Sequence, residues 1–346
     1  MTQNEAMFQY PEPGASLSAT HEMRRIEVAH DPLMSFRLPV HQSWATAMPR
    51  GPFVVRPGQP EPLALFAHPK TSLGKVRVVV TAEVLQWEID PLEWMRWQAT
   101  KAGWRVAVAK VHPAPGGPRY ELGALREVNG QVEVRRSMAM RSGARLLRCD
   151  AWSPMDAWAS WHDALWWTLH GFALGQIVPG GIEAPVVHDG PLLRFGVPGS
   201  WDARGTGSVE GGAIWALQPA QDVQRFATLQ VYVRRGREAP SAPNRRAALW
   251  YALGERGMEP RYISRVARPA FEAHVPGWLG QWQCSAEGAA SVAVLAQRED
   301  RGLALDVLLT APAAGTEHLD WMRATRAMDC LLANADLHGE ARNLAA

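Results

Sequence analysis

Two short runs of the chain alternate strictly. In residues 76–81, Val76, Val78 and Val80 face one way, and Arg77, Val79 and Thr81 face the other. In residues 229–234, Leu229, Val231 and Val233 oppose Gln230, Tyr232 and Arg234. A period of two marks a strand with one buried face. Residues 156–172, D-A-W-A-S-W-H-D-A-L-W-W-T-L-H-G-F, follow a different period. At 100° per residue, Trp158, Trp161, Leu165, Leu169 and Phe172 form one stripe with Trp166 at its edge. Asp156, Ser160, Asp163 and His170 lie opposite, so this is a helix with a heavy core face. Trp167 breaks the pattern by pointing into the polar side. It is expected to be covered by the linker, the other repeat or a partner.

The patterns occur twice. F-R-L-P at Phe36–Pro39 is followed by Trp44, and F-G-V-P at Phe195–Pro198 by Trp201. Val76–Val80 matches Leu229–Val233. A helix signal follows each strand: D-P-L-E-W-M-R-W-Q-A-T-K-A-G with Asp90 as N-cap and Pro91 in the first turn, then N-R-R-A-A-L-W-Y-A-L-G-E-R-G with Asn244 in the capping position. Gly103 and Gly257 fall where a left-handed C-terminal residue belongs. Trp161 aligns with Trp321, and Met328, Leu331 and Leu332 continue that second stripe, with Ala327 at the place of Trp167. Offsets between paired landmarks stay near 153–160 residues, the sign of an internal duplication.

Runs of strands between helices predict an α+β class, two tandem copies of an antiparallel sheet backed by helices. The buried strand sets should meet the helices. The opposite sets should form an uncovered sheet face, or one covered by a partner. The boundaries read as an N-terminal arm over 1–35, a first repeat over 36–174, a Gly/Pro-rich linker over 175–191, a second repeat over 192–338 and a tail over 339–346. The leading residues are polar and Pro-containing, either loose or laid on one domain.

These landmarks, F-x-[LV]-P then Trp, a strand ending near D-P, a helix, a meander and a closing Trp-rich helix, resemble the PsbP-like fold. They are most similar to its bacterial cytoplasmic branch, the Eag-type effector chaperones of type VI secretion. The resemblance covers about residues 36–173 and 193–338. It implies a helix-backed sheet whose open face cradles apolar helical segments of a secreted toxin. Two copies in one chain would then be a covalent pseudo-dimer.

Composition narrows the classes further. The chain has 346 residues, a formal net charge of +2 and 20% charged residues, which suits about two globular domains. Of 36 basic residues, 32 are Arg, but acidic residues nearly balance them, so no nucleic-acid footprint emerges. Cys149, Cys284 and Cys330 are sparse, odd in number and outside any C-x-x-C, which argues against a disulfide framework. No signal peptide and no apolar run of bilayer length is found. The expected location is cytoplasmic, without direct membrane insertion.

Chemistry is hard to place. G-T-G-S-V-E-G (Gly205–Gly211) does not open a helix and reads as a hairpin or loop. His162 and His170 are eight apart, the wrong spacing for paired ligands. Cys149 alternates with core residues, and Glu299–Gly302 looks like a polar turn. No catalytic set, cofactor or metal is therefore expected. The leading expectation is a non-enzymatic protein-binding adaptor or chaperone whose partner is another protein, such as an effector with apolar helices. The candidate partner-binding residues are Arg77, Val79, Thr81, Gln230, Tyr232, Arg234 and Trp167. The alternative is an accessory subunit of a larger bacterial assembly.

Overall fold

The computed structural model describes residues 7–11, 15–48, 57–69, 76–209, 211–220, 226–237, 239–258, 262–267, 274–285, 291–313 and 318–338. The 339–346 tail lies outside them. The chain divides into unit 1, Met1–Ile182, and unit 2, Glu183–Ala346, so the division falls within the Gly/Pro-rich spacer.

Unit 1 begins with a short helix α1 (Ala15–Thr20), then β1 (His21–Ile26), β2 (Phe36–His41), β3 (Ala45–Ala47), β4 (Glu61–Ala67) and β5 (Arg77–Val84). Helix α2 (Pro91–Lys101) leads to β6 (Arg105–His112), β7 (Arg119–Val128), β8 (Gln131–Ser142) and β9 (Arg145–Pro154). Helix α3 (Met155–Gly171) and β10 (Ala173–Leu174) close it. Unit 2 repeats the series as β11 (Pro185–Asp189), β12 (Leu193–Pro198), β13 (Trp201–Val209), β14 (Gly212–Pro219), β15 (Thr228–Arg235), α4 (Ala242–Gly254), β16 (Tyr262–Val266), β17 (Trp278–Ser285), β18 (Ser291–Asp300), β19 (Leu303–Pro312), α5 (His318–Asn334) and β20 (Asp336–Leu337).

The large sheets have orders β3-β4-β5-β9-β8-β7-β6 and β13-β14-β15-β19-β18-β17-β16, and the small ones β1-β2-β10 and β11-β12-β20. Every strand of unit 1 therefore has its counterpart ten strands on. The pairings in both large sheets are antiparallel. This is the tandem α+β fold expected from the duplicated landmarks.

Local signals explain most element ends. Asp90 Oδ1 accepts from the Leu92 and Glu93 amides at 2.8 and 3.0 Å, so it caps α2 as read. Trp104 N donates to Ala99 O and Met258 N to Leu253 O. Those bonds close each helix around Gly103 (φ +78°) and Gly257 (φ +83°). The Asn244 reading needs correction: α4 starts at Ala242 with Ser241 as its N-cap, because Pro243 is already helical in the first turn. Within the Gly205–Gly211 stretch, Gly205–Val209 is the end of β13 and Gly211 is a turn residue just before β14.

The alternation holds residue by residue. Val76, Val78, Val80, Leu229, Val231 and Val233 are buried. In unit 1 they share a core with Phe36, Leu38, Trp158, Leu165, Leu169 and Phe172. Helix α3 thus packs on β8 and β9 of the large sheet and on β2 of the small one. In unit 2 the matching core holds Met328, Leu331 and Leu332 of α5. Ala327 is fully buried there, which corrects its placement on a polar side. The strand face expected to be uncovered carries a helix in each unit. Glu83, on the Arg77–Val79–Thr81 side of β5, accepts from Trp94 Nε1 and Gln98 Nε2 of α2. Asp306, directly across from Tyr232, accepts from Arg245 of α4 at 2.8 Å. Each large sheet therefore has helices on both faces. The physical cause is that α2 and α4 carry their own buried residues, Trp94 and Met95 in one and Trp250 and Leu253 in the other, which need a second apolar surface.

Candidate functional site

Unit 1 contains an apolar cavity of about 410 Å³. Helix α3 supplies Trp166, Trp167 and His170, the leading segment supplies Tyr10, Pro11 and Leu17, β7 and β8 supply Arg119 and Met138, and the β6–β7 turn region supplies His112, Pro113 and Ala114. The period of two explains the sheet side. Arg119, Glu121 and Gly123 share a face of β7, and their partners across β8 are Met140, Met138 and Arg136. That is the face on which α3 lies.

A charged cluster lies behind the lining residues Tyr10, His112 and Trp166. Glu121 and Arg136 are both fully buried and form a salt bridge at 2.7 Å. Glu121 also receives the Tyr10 hydroxyl at 2.8 Å and meets His112 Nε2 at 2.7 Å. Burial by itself would raise the Glu121 pKa, but the Arg136 charge and these hydrogen bonds outweigh it and hold the carboxyl below its usual range. The Tyr10 hydroxyl shifts upward, through burial first and then through its bond to Glu121. The Arg136 guanidinium lies 4.0 Å from the centre of the Trp166 ring, a cation–π contact. Arg119 donates through Nη2 to the carbonyls of Leu169, His170 and Phe172 at 2.7–3.2 Å. It thereby places a cation at the negative end of α3.

This arrangement suits binding better than reaction. The Glu121 carboxylate is engaged by three side chains, so it is not poised to take a proton from a substrate. Among the described residues, no serine, threonine or cysteine lines the cavity. Among the described residues, no group of three or more His, Cys, Asp or Glu is placed to hold a metal ion. What remains is a recess walled by indole, proline, leucine and methionine with cations at its back and rim, a surface for apolar groups.

The candidate residues fall in three places. Trp167 is half-buried and lines the cavity. Arg77, Val79 and Thr81 share the α2 side of the first sheet, all half-buried. There Arg77 stacks over Trp152 at 4.8 Å, Arg135 contacts both Trp152 and Trp104, and Arg126 covers Trp104 at 4.5 Å. Burial pulls the Arg135 pKa down to about 10. Gln230, Tyr232 and Arg234 share the α4 side of the second sheet. Tyr232 packs beside Trp250, Leu253, Leu295 and Leu308 and donates to Gln230 at 3.2 Å. The sequence reading missed Tyr10, Arg119, Glu121 and Arg136. A signal existed: in V-E-V-R-R-S-M-A-M, Arg136 keeps step with Val134, Met138 and Met140, so a charge stands at a core position.

No protein-family model matches the sequence, and no curated protein matches it. Solved structures similar to it include cyanobacterial PsbP (CyanoP) from Synechocystis sp. PCC 6803, at 13% identity over 44% of this chain and 92% of that one, TM-score 0.33. Another is LpqN, involved in cell envelope biogenesis of Mycobacterium tuberculosis, at 15% identity over 44% and 90%, TM-score 0.32. A third is the immunity protein TplEi of the type VI secretion system from Pseudomonas aeruginosa, at 10% identity over 92% and 97%, TM-score 0.23. At these identities and TM-scores they assign nothing to this chain, and the site rests on its own residues.

Proposed function

We propose that this chain is a non-enzymatic, cytoplasmic protein-binding adaptor or chaperone whose unit 1 takes apolar side chains of a partner polypeptide. The observation that carries the reading is the indole-walled cavity of about 410 Å³, with the satisfied Glu121–Arg136 pair behind its Tyr10, His112 and Trp166 walls. Such a recess rewards burial of one or two large apolar side chains by about 1.5–3 kcal/mol each. Trp167 is its rim anchor, in the residue class that dominates binding energy at interfaces. The finer identity of the partner, a type VI secretion effector with apolar helical segments, is supported by the sequence resemblance to Eag-type chaperones. Among the described residues, no helix is long and apolar enough to cross a membrane.

Co-expression with an effector fragment bearing such a segment tests the reading. The wild-type chain is expected to keep the fragment soluble and co-purify with it, and Trp167→Asp to lose it while retaining the wild-type thermal transition. Equal recovery with both chains overturns the proposal. Substitution at Tyr232 is a poor probe, because that ring is part of the packing under α4.

A further inference from the structure

Residues 7–11 belong to neither a helix nor a strand, yet Phe8 is only 2% exposed. Its ring sits directly over Gly123, where an added Cβ would come within 2.8–2.9 Å of three ring atoms. Only the missing side chain at Gly123 makes room for it. The ring also meets Trp158, centroid to centroid, at 5.9 Å. The main chain on either side is held by side chains of the fold. Trp158 Nε1 donates to Met7 O at 3.3 Å, and Arg136 donates to Phe8 O at 3.0 Å and to Gln9 O at 3.4 Å. Two residues on, the Tyr10 hydroxyl reaches Glu121, its ring lies 4.9 Å from Trp166, and Lys110 Nζ stands 5.0 Å over it.

These contacts divide by type. The bonds to three successive carbonyls read a backbone, whatever its sequence. The two ring sites read aromatic side chains at positions i and i+2, which the turn at Met7 and Phe8 brings to one side. The hold is uneven, because Phe8 is sealed whereas Tyr10 is 45% exposed at the cavity.

The frame itself does not need this arrangement. The registers run from Val80 through Cys149 and Met138 to Glu121, and, with the β8–β9 and β18–β19 turns aligned, from Val231 through Val307 and Ala296 to Gln281. Followed the same way, the unit 2 counterparts of Arg136 and Gly123 are Val294 and Gln283. The second sheet builds the same order with none of the three residues.

We propose that the β7–β8 face of unit 1 is a docking socket for an aromatic-x-aromatic peptide, filled in cis by Met7–Pro11 and opened when a partner segment of that chemistry displaces it. This deepens the protein-binding reading and rests on it for the existence of a partner.

The probe is a fluorescently labelled synthetic peptide of residues 4–14, N-E-A-M-F-Q-Y-P-E-P-G, added in trans to full-length chains and followed by anisotropy. The Phe8→Ala chain, whose own segment no longer competes well, is expected to bind it at least ten-fold more tightly than wild type. A peptide with both aromatics changed to alanine should not bind, and adding Gly123→Leu to the Phe8→Ala chain should abolish binding. Equal binding by wild type and Phe8→Ala overturns the proposal. So does binding that survives Gly123→Leu, or absence of binding to a Phe8→Ala chain with a wild-type thermal transition. Should Phe8→Ala fail to fold, a protease site inserted after Gly14 of the wild-type chain and cut after folding replaces it. The freed segment should then leave on dilution and return on titration, and a segment that never exchanges refutes displacement. Client co-purification through Trp167 is scored separately. A client that binds while the peptide does not therefore refutes the socket alone.

Discussion

Breaking the buried pair at the back of the cavity separates burial of charge from simple loss of contact. Glu121→Leu removes the only carboxylate among the described residues that bonds Arg136 and leaves a fully buried guanidinium with two carbonyls and His162 as hydrogen-bond partners. Removing one member of a buried pair costs about 3–5 kcal/mol, because the survivor keeps its desolvation penalty. The double variant Glu121→Leu, Arg136→Met removes both penalties and keeps the volume filled. Its cost should fall to about 1–2 kcal/mol, mostly from the lost bonds to Phe8 and Gln9. Against the single variants Glu121→Leu and Arg136→Met, the expected coupling is therefore at least about 4 kcal/mol, far above the ~0.5 kcal/mol of independent sites. Native-state hydrogen exchange of the intact chain reads this on the β7 and β8 amides, with the β17 and β18 amides of unit 2 as an internal reference. A double variant as unstable as the worse single one would refute the account of the pair as a mutually compensated buried charge.

Three further outcomes are expected. His21 and His41 face each other across β1 and β2, and burial first, then mutual repulsion in the case of His21, lowers both pKa values. Each stays neutral in the fold while the unfolded chain takes up protons, so their contribution is present above about pH 6.5 and falls as the pH drops through that value. Exchange protection of β1 and β2 at pH 7.5 and 5.5 checks this, and His21→Gln should flatten the difference. Glu121 acts in another window: its lowered pKa gives stability above about pH 4.5 that is lost on further acidification. Asp90→Ala should cost about 0.5–2 kcal/mol by removing two cap bonds, while Ser241→Ala, which makes no side-chain cap bond, should stay within about 0.5 kcal/mol in thermal unfolding. Tyr232→Phe should cost only the hydroxyl's bond to Gln230, about 0.5–1.5 kcal/mol, whereas Tyr232→Asp should cost more than twice that in urea unfolding.

What the sequence disclosed was whatever repeats with a short period or a fixed residue type. Alternation in 76–81 and 229–234 identified the buried faces, the stripe from Trp158 to Phe172 the closing helix, and Asp90 with Gly103 both ends of α2. The duplication was visible because its landmarks are large and ordered. The position of α2 and α4 was not visible. Their apolar residues say that they pack, but not on which side of a sheet. The site was hidden for a different reason. Arg136 contacts residues 15 and 128 positions away, and no local pattern reports a contact between Phe8 and a glycine at 123. Trp167 stood out as an anomaly in its helix, yet the cavity it lines draws on five separate stretches of chain.

The separation between Phe8 and Arg136 also sets an order of events during synthesis. The segment emerges 128 residues before the arginine that holds its carbonyl. At about 5–20 residues per second, it spends roughly 6–25 s with an apolar ring and nowhere to put it. Strands β7 and β8, by contrast, are neighbours in sequence and can pair as soon as both have left the ribosome. The tethered segment is therefore already at high local concentration when its seat first forms. As the socket is proposed, the tethered segment takes the seat ahead of a polypeptide supplied from elsewhere. Competition at this face is thus a matter of replacing an early occupant, and its pace is set by how fast that occupant lets go.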